Sequence, residues 1–283
     1  FAPNAGTLIS NYAVPANAVG LGTITPAQLT AILVGVRKTY DASTAALLTP
    51  SNFVLSGFAA GEGSSVTQAS GRYASPNAGT WAVTATLANG DFSPTASTRL
   101  SNYILPTIAS GTGVIDQAML TAIITGRPIK TYDGTTGATL TSADYTLDGF
   151  VAGQGATITR TVGVYDSRNA GERTVTAALG ASDFTAGSGT LLSNYVLPTS
   201  ASGAGQINPA ALVAAIIGDP RRAYDGTTTA YLQSSNFLLT GLVGGDVVSV
   251  TQDRGLYDGK DAGSRGVSAA LTGGDFAAGS STL

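Results

Sequence analysis

Two identical pentapeptides hold the residues best suited to chemistry. Tyr132-Asp133-Gly134-Thr135-Thr136 and Tyr224-Asp225-Gly226-Thr227-Thr228 each set a carboxylate beside two hydroxyls. Such a set can ligate a cation or accept a hydrogen bond from a sugar hydroxyl. It is also the pattern of a turn, in which Asp caps backbone N–H groups and Gly supplies a positive φ. The turn is the reading adopted, because Tyr40-Asp41-Ala42-Ser43-Thr44 repeats the pattern without its glycine. Asp253, Asp258 and Asp261 form a second group of oxygen donors of the kind calcium prefers. The matching positions elsewhere are Ala69, Ala74 and Asn77, then Thr161, Asp166 and Asn169, so the set does not recur. Lys38 and Lys130 invite an isopeptide crosslink to Asn or Asp. Arg222 takes their place in the third instance and lacks the nucleophilic amine. Neither a metal site, a cofactor site nor a catalytic residue is expected.

Whatever these residues do, a repeat positions them. Tyr40, Tyr132 and Tyr224 stand 92 positions apart. Asn77-Ala78-Gly79 returns as Asn169-Ala170-Gly171 and as Asp261-Ala262-Gly263, each a hairpin turn by its composition. Asp91-Phe92, Asp183-Phe184 and Asp275-Phe276 keep the step, as do Ser10-Asn11-Tyr12, Ser101-Asn102-Tyr103 and Ser193-Asn194-Tyr195 to within one residue. A period this long describes an array of small domains rather than a solenoid. The joints are placed after Gly22-Thr23-Ile24, Gly113-Val114-Ile115 and Gly205-Gln206-Ile207. Residues 1–24 then form the final strand segment of a preceding copy. The copies span 25–115, 116–207 and 208–283, the last lacking its final strand. The chain is read as a window cut from a longer protein. No linker rich in Pro or Ser separates the copies, so neighbours are expected to be closely joined.

Composition narrows the function classes. The chain of 283 residues has no Cys and no His, which removes thiolate chemistry, disulfides and the commonest general base. Charged residues make up 11% and the net charge is −3, so nothing draws the surface to nucleic acid. No apolar run reaches the length of a membrane-spanning helix. An enzyme is not expected.

Within a copy, apolar residues alternate. Val83, Ala85 and Leu87 share one face, as do Val175, Ala177 and Leu179, and Val267, Ala269 and Leu271. Phe53 with Leu55, Tyr145 with Leu147 and Phe237 with Leu239 mark a second strand. Tyr12 with Val14, Tyr103 with Leu105 and Tyr195 with Leu197 mark a third. Ser10, Asn11, Tyr12 and Val14 are candidates for an inter-repeat strand. Short strands broken by Gly-rich turns predict an all-β fold, with each copy a small antiparallel, Ig-like β-sandwich. The segments 25–35, 116–126 and 208–218 stay open between strand and helix. A helix there would make the copies β-grasp-like α+β modules. Most repeated tyrosines sit at core-facing positions, where packing outweighs a carbohydrate platform. Trp81 is a stacking candidate in one copy alone, since Arg173 and Arg265 replace it.

The order Ile-Thr-Pro-like opening, Lys130-Thr131-Tyr132-Asp133-Gly134-Thr135-Thr136, Tyr165 to Gly171, Val-x-Ala-x-Leu and Asp-Phe…Ser-Asn-Tyr-x-Leu resembles the YDG-type repeat of large bacterial surface and secreted proteins. These include filamentous-haemagglutinin-like adhesins exported by two-partner secretion. The resemblance covers essentially the whole chain, three times. Ala42 and the missing Gly-Ala-Asp-Ala-like run before Ser-Asn-Tyr depart from it. It implies extracellular tandem modules at the bacterial surface and no catalytic residue. The expected role is a stalk or spacer giving reach and adhesion in a surface fibre or biofilm, with any specific binding tip elsewhere in the parent protein. The alternatives are a filament subunit joined head-to-tail by strand donation, and a glycan-binding module. Expected partners are adjacent repeats or identical chains, and surface glycans or other cells.

Overall fold

A computed structural model describes residues 4–279. All regular structure there is β, apart from three-residue 3-10 turns. The chain divides into two compact units, one up to Asp116 and one from Gln117 on. The second holds two of the three copies.

In the first unit the strands are β1 (Ala27–Gln28), β2 (Thr30–Thr39), β3 (Ala45–Leu47), β4 (Phe53–Ser56), β5 (Ser64–Val66), β6 (Ser70–Tyr73), β7 (Gly79–Thr86), β8 (Phe92–Pro94), β9 (Tyr103–Ile104) and β10 (Ile108–Asp116). Six of them form one sheet in the order β3-β6-β7-β10-β2-β4, and β1-β9 and β5-β8 form small pairs. Alternation makes this sheet one-sided. Val83, Ala85 and Leu87 are buried while Ala82, Thr84 and Thr86 are exposed. Each Asp-Phe motif serves twice. Asp91 Oδ2 accepts from the Ala88 N–H at 2.7 Å and so closes a 3-10 turn, and Phe92 enters the core. Asp183 with Gly180 and Asp275 with Thr272 repeat the turn.

The second unit repeats the plan with one change. Its first copy has β11 (Ala118–Met119), β12 (Thr121–Ile124), β13 (Ile129–Thr131), β14 (Gly137–Thr139), β15 (Tyr145–Asp148), β16 (Ala156–Ile158), β17 (Val162–Tyr165), β18 (Gly171–Ala178), β19 (Phe184–Ala186), β20 (Tyr195–Val196) and β21 (Ser200–Asn208). Here β12 and β13 together take the place of β2. Ile158 from β16 and Phe184 from β19 pack with Leu140, Val175, Ala177 and Ile207 in a single core. The small pair therefore covers one face of the main sheet as a second layer.

The pairing is mixed, not purely antiparallel. β10 runs antiparallel to β7 but parallel to β2, and β1 runs parallel to β9. β21 lies parallel to β12 and β13. The tail of each of the first two copies returns to the middle of the sheet instead of its edge, and that position fixes its direction. The segments left open as strand or helix are strands where they are regular. Ile32, Val34 and Val36 are β-branched, and a pleated surface suits them better than a helix. Among the described residues there is no α-helix, so the α+β alternative does not hold.

The third copy has β22 (Val213–Ile216), β23 (Thr229–Tyr231), β24 (Phe237–Thr240), β25 (Val248–Val250), β26 (Arg254–Tyr257), β27 (Val267–Ser268) and β28 (Phe276–Ala278). Its main sheet is in two pieces, β23-β26-β27 and β22-β24. The break falls where β10 and β21 sit in the other copies. Residues 4–26 hold no strand. Ser10 and Asn11 lie in a 3-10 turn, and Tyr12 and Val14 are exposed and pair with no strand. The corresponding segments are held between strands that come earlier in the chain than the segment itself.

Candidate functional site

The pentapeptide turns share one geometry. Asp133 Oδ1 accepts from the Thr135 N–H at 2.9 Å and from the Thr135 hydroxyl at 2.8 Å. Lys130 Nζ donates to the same oxygen at 2.7 Å and to the Thr135 carbonyl at 2.8 Å. Asp225, Thr227 and Arg222 form the same clip, as do Asp41, Ser43 and Lys38. In each copy the cation also lies over a tyrosine ring: Lys38 over Tyr73, Lys130 over Tyr165, Arg222 over Tyr257. The Tyr165 hydroxyl donates to the Pro128 carbonyl at 2.9 Å, fixing the ring. The Lys130 hydrogen bond, followed by that from the Thr135 N–H, holds the Asp133 carboxyl down to about 2. For Asp225 the Thr227 N–H is the chief cause of the same downward shift. The carboxylate is thus engaged by its own loop, and the left-handed residue is Gly134, Gly226 or Ala42.

The second set of turns is closed just as locally. The Trp81 indole N–H donates to the Asn77 carbonyl at 2.7 Å. Arg173 Nε donates to the Asn169 carbonyl at 2.7 Å, and Arg265 Nε to the Asp261 carbonyl at 3.0 Å. Gly79, Gly171 and Gly263 follow with positive φ. The one tryptophan and the two arginines therefore do the same job, an equivalence that their side chains hide in the sequence. Among the described residues no cluster of three or more acidic groups is placed to hold a metal ion.

Four of these turn residues meet at the junction of the second and third copies. The Tyr132 hydroxyl donates to Asp246 Oδ2 at 2.9 Å, which raises the phenol's pKa. A Cβ on Gly134 would stand 3.1 Å from Val243. Tyr132, Asn169 and Ala170 line a hollow of about 390 Å³, facing Leu212, Val243 and Asp246 of the third copy. Tyr224, the third copy's counterpart of Tyr132, is 66% exposed.

The same hollow is the third copy's tyrosine seat, and Tyr132 of the second copy reaches its acceptor, Asp246. In the first copy the Tyr103 hydroxyl donates to Glu62 at 2.5 Å and accepts from the Ala59 N–H, with its ring edge-on to Phe58. In the second, Tyr195 engages Gln154, Val151 and Phe150 alike. Asp246, Val243 and Leu242 are the third copy's counterparts, and no tyrosine of its own fills them among the described residues. Leu29 and Leu120, beneath the seated tail, are 1% and 3% exposed, whereas Leu212 is 40% exposed. A second hollow of about 680 Å³ is lined by Ile216, Arg222, Tyr257 and Val267. The segment of matching sequence, residues 8–24, leaves Val19, Leu21 and Ile24 fully in solvent.

A family profile described as the YDG domain matches residues 25–110, 116–203 and 208–278. No curated protein matches the chain. No solved structure matches it either.

Proposed function

The chain belongs to the YDG domain family, three copies in tandem, and from that premise we propose that it is a non-catalytic stalk or spacer of a bacterial surface protein. One observation carries this reading. The last strand of each complete copy is the middle of its own sheet, and the next copy's first strand begins at once: β10 ends at Asp116 and β11 starts at Ala118. Chain that links copies is thereby also chain that holds a copy together. Low charge, no Cys and carboxylates engaged by their own turns fit a passive extracellular role. Export by two-partner secretion, as in filamentous-haemagglutinin-like adhesins, is the finer form of the proposal. Adhesion to cells or surface glycans would then reside at other parts of such a protein. Small-angle scattering over a concentration series tests it: a particle of constant, elongated form supports the spacer, and a compact one overturns it.

A second reading rests on the third copy's sheet, which is in two pieces among the described residues. Residues 8–24 of one chain have the sequence that completes the sheet in the other copies, so head-to-tail strand donation would build a filament. Growth with concentration that stops on deleting residues 1–24 supports that reading. A monomer at every concentration sinks it.

A further inference from the structure

We infer that each complete repeat is a shear clamp, built to resist force applied along the chain. The argument is topological. A copy is entered through β1 and β2 and left through β10. Of these, β2 and β10 are hydrogen-bonded neighbours, and they are parallel. Tension at the two ends of the copy therefore pulls Thr30 and Asp116 in opposite senses along one shared axis. Six register pairs, from Ile32↔Ser110 to Thr39↔Asp116, bear that load side by side. The parallel pair β1-β9 adds to them in the same sense. Peeling an antiparallel pair from its open end would break such pairs one at a time; sliding parallel strands must break them together.

β10 cannot slip out sideways either. Its other edge is held by eight pairs to β7. Arg37 closes the far end with two hydrogen bonds to Asp116, at 2.5 and 2.6 Å.

The second copy has the same design with a gap. Parallel pairing to β21 consists of Ile123↔Ser202 and three pairs at Ile129–Thr131. Between them stand Arg127, in the left-handed region, and Pro128. Pro128 occupies the position of Val36, which pairs with Gly113 in the first copy. Proline has no N–H to give to the ladder. The second clamp therefore carries fewer pairs than the first. The inference concerns each fold by itself and does not depend on the spacer role; a weak clamp would leave the scattering test of that role untouched.

The full chain has no cysteine, so pairs introduced for tethering are unique. Single-molecule pulling with Thr25→Cys and Gln117→Cys loads the first copy end to end. Thr30→Cys with Ser56→Cys peels β4 from β2 in the same sheet, since those two residues are register partners. The rupture force is expected to be at least roughly twofold higher end to end than in peeling, because forced rupture reports the unfolding barrier. Gln117→Cys with Pro209→Cys loads the second copy, which is expected to yield at lower force than the first. Pro128→Val should raise the second copy's force, and a melting curve on the same variant establishes that it folds. Equal forces in shear and peel, or a second copy that outlasts the first, would overturn the clamp.

Discussion

The Lys130 ammonium lies 5.6 Å from the centre of the Tyr165 ring while it binds Asp133. One cation thus ties the signature turn to a core tyrosine. Replacing Lys130 by Met should destabilise the second copy by about 1 kcal/mol, the size of a solvent-screened ion pair with its hydrogen bonds. Lys130→Arg should be tolerated, since Arg222 fills the same role in the third copy. Urea unfolding of both variants checks this, and equal losses would show that the amine itself is needed.

Ala42 takes φ 61°, where its counterparts are glycines at 77° and 76°. A left-handed conformation costs a residue with a Cβ about 1–2 kcal/mol. Glycine gives back part of that gain through the unfolded chain. Ala42→Gly is therefore expected to stabilise the first copy by roughly 0.5–1 kcal/mol, read as a higher urea midpoint. A lower midpoint would mean that the alanine methyl makes a contact worth more than the strain.

The glycines of the central strand allow backbone to pass close by. A Cβ on Gly203 would lie 1.9 Å from the Ile124 carbonyl oxygen, and one on Gly111 would lie 2.0 Å from that of Leu33. Gly203→Ala should cost the second copy about 3 kcal/mol or more, because backbone has to move. Gly155→Ala, with nothing within 4 Å, is the control and should change stability by less than about 0.5 kcal/mol.

Asp133 titrates at about 2 in the fold against an ordinary 3.8. A carboxyl with a lowered folded pKa binds its proton more readily when unfolded. Its stabilising share is complete above about pH 4 and is lost as pH falls from there towards 2. Asp133→Asn should flatten the stability profile of the second copy between those limits, measured by urea midpoints at stepped pH. An unchanged slope would mean that other carboxyls set it.

Much of the fold can be read from the residues, and the reasons are local. Period-two alternation at Val83, Ala85 and Leu87 reflects a sheet with one dry face. Asp133 and Gly134 announce a turn because capping and positive φ are properties of single residues. What cannot be read is pairing at a distance. Nothing in Ile108–Asp116 says that it lies between β2 and β7 or parallel to β2. The nearest signal is the recurrence of Gly111 and Gly113 as Gly203 and Gly205, which marks close backbone approach. The meeting of Tyr132 with Asp246 is equally hidden, since 114 residues separate them. The shared task of Trp81, Arg173 and Arg265 depends on an N–H placed over a turn, which residue class does not encode.

The central place of β10 also governs how a copy comes into being. Its partners on β2 lie nearly a whole copy earlier in the chain. Contacts of such separation close slowly, because a long loop must be ordered before any of them forms. A copy whose last strand is not yet in place therefore lacks the centre of its sheet. A single arriving strand then joins β2 to β7 and makes the two halves one sheet.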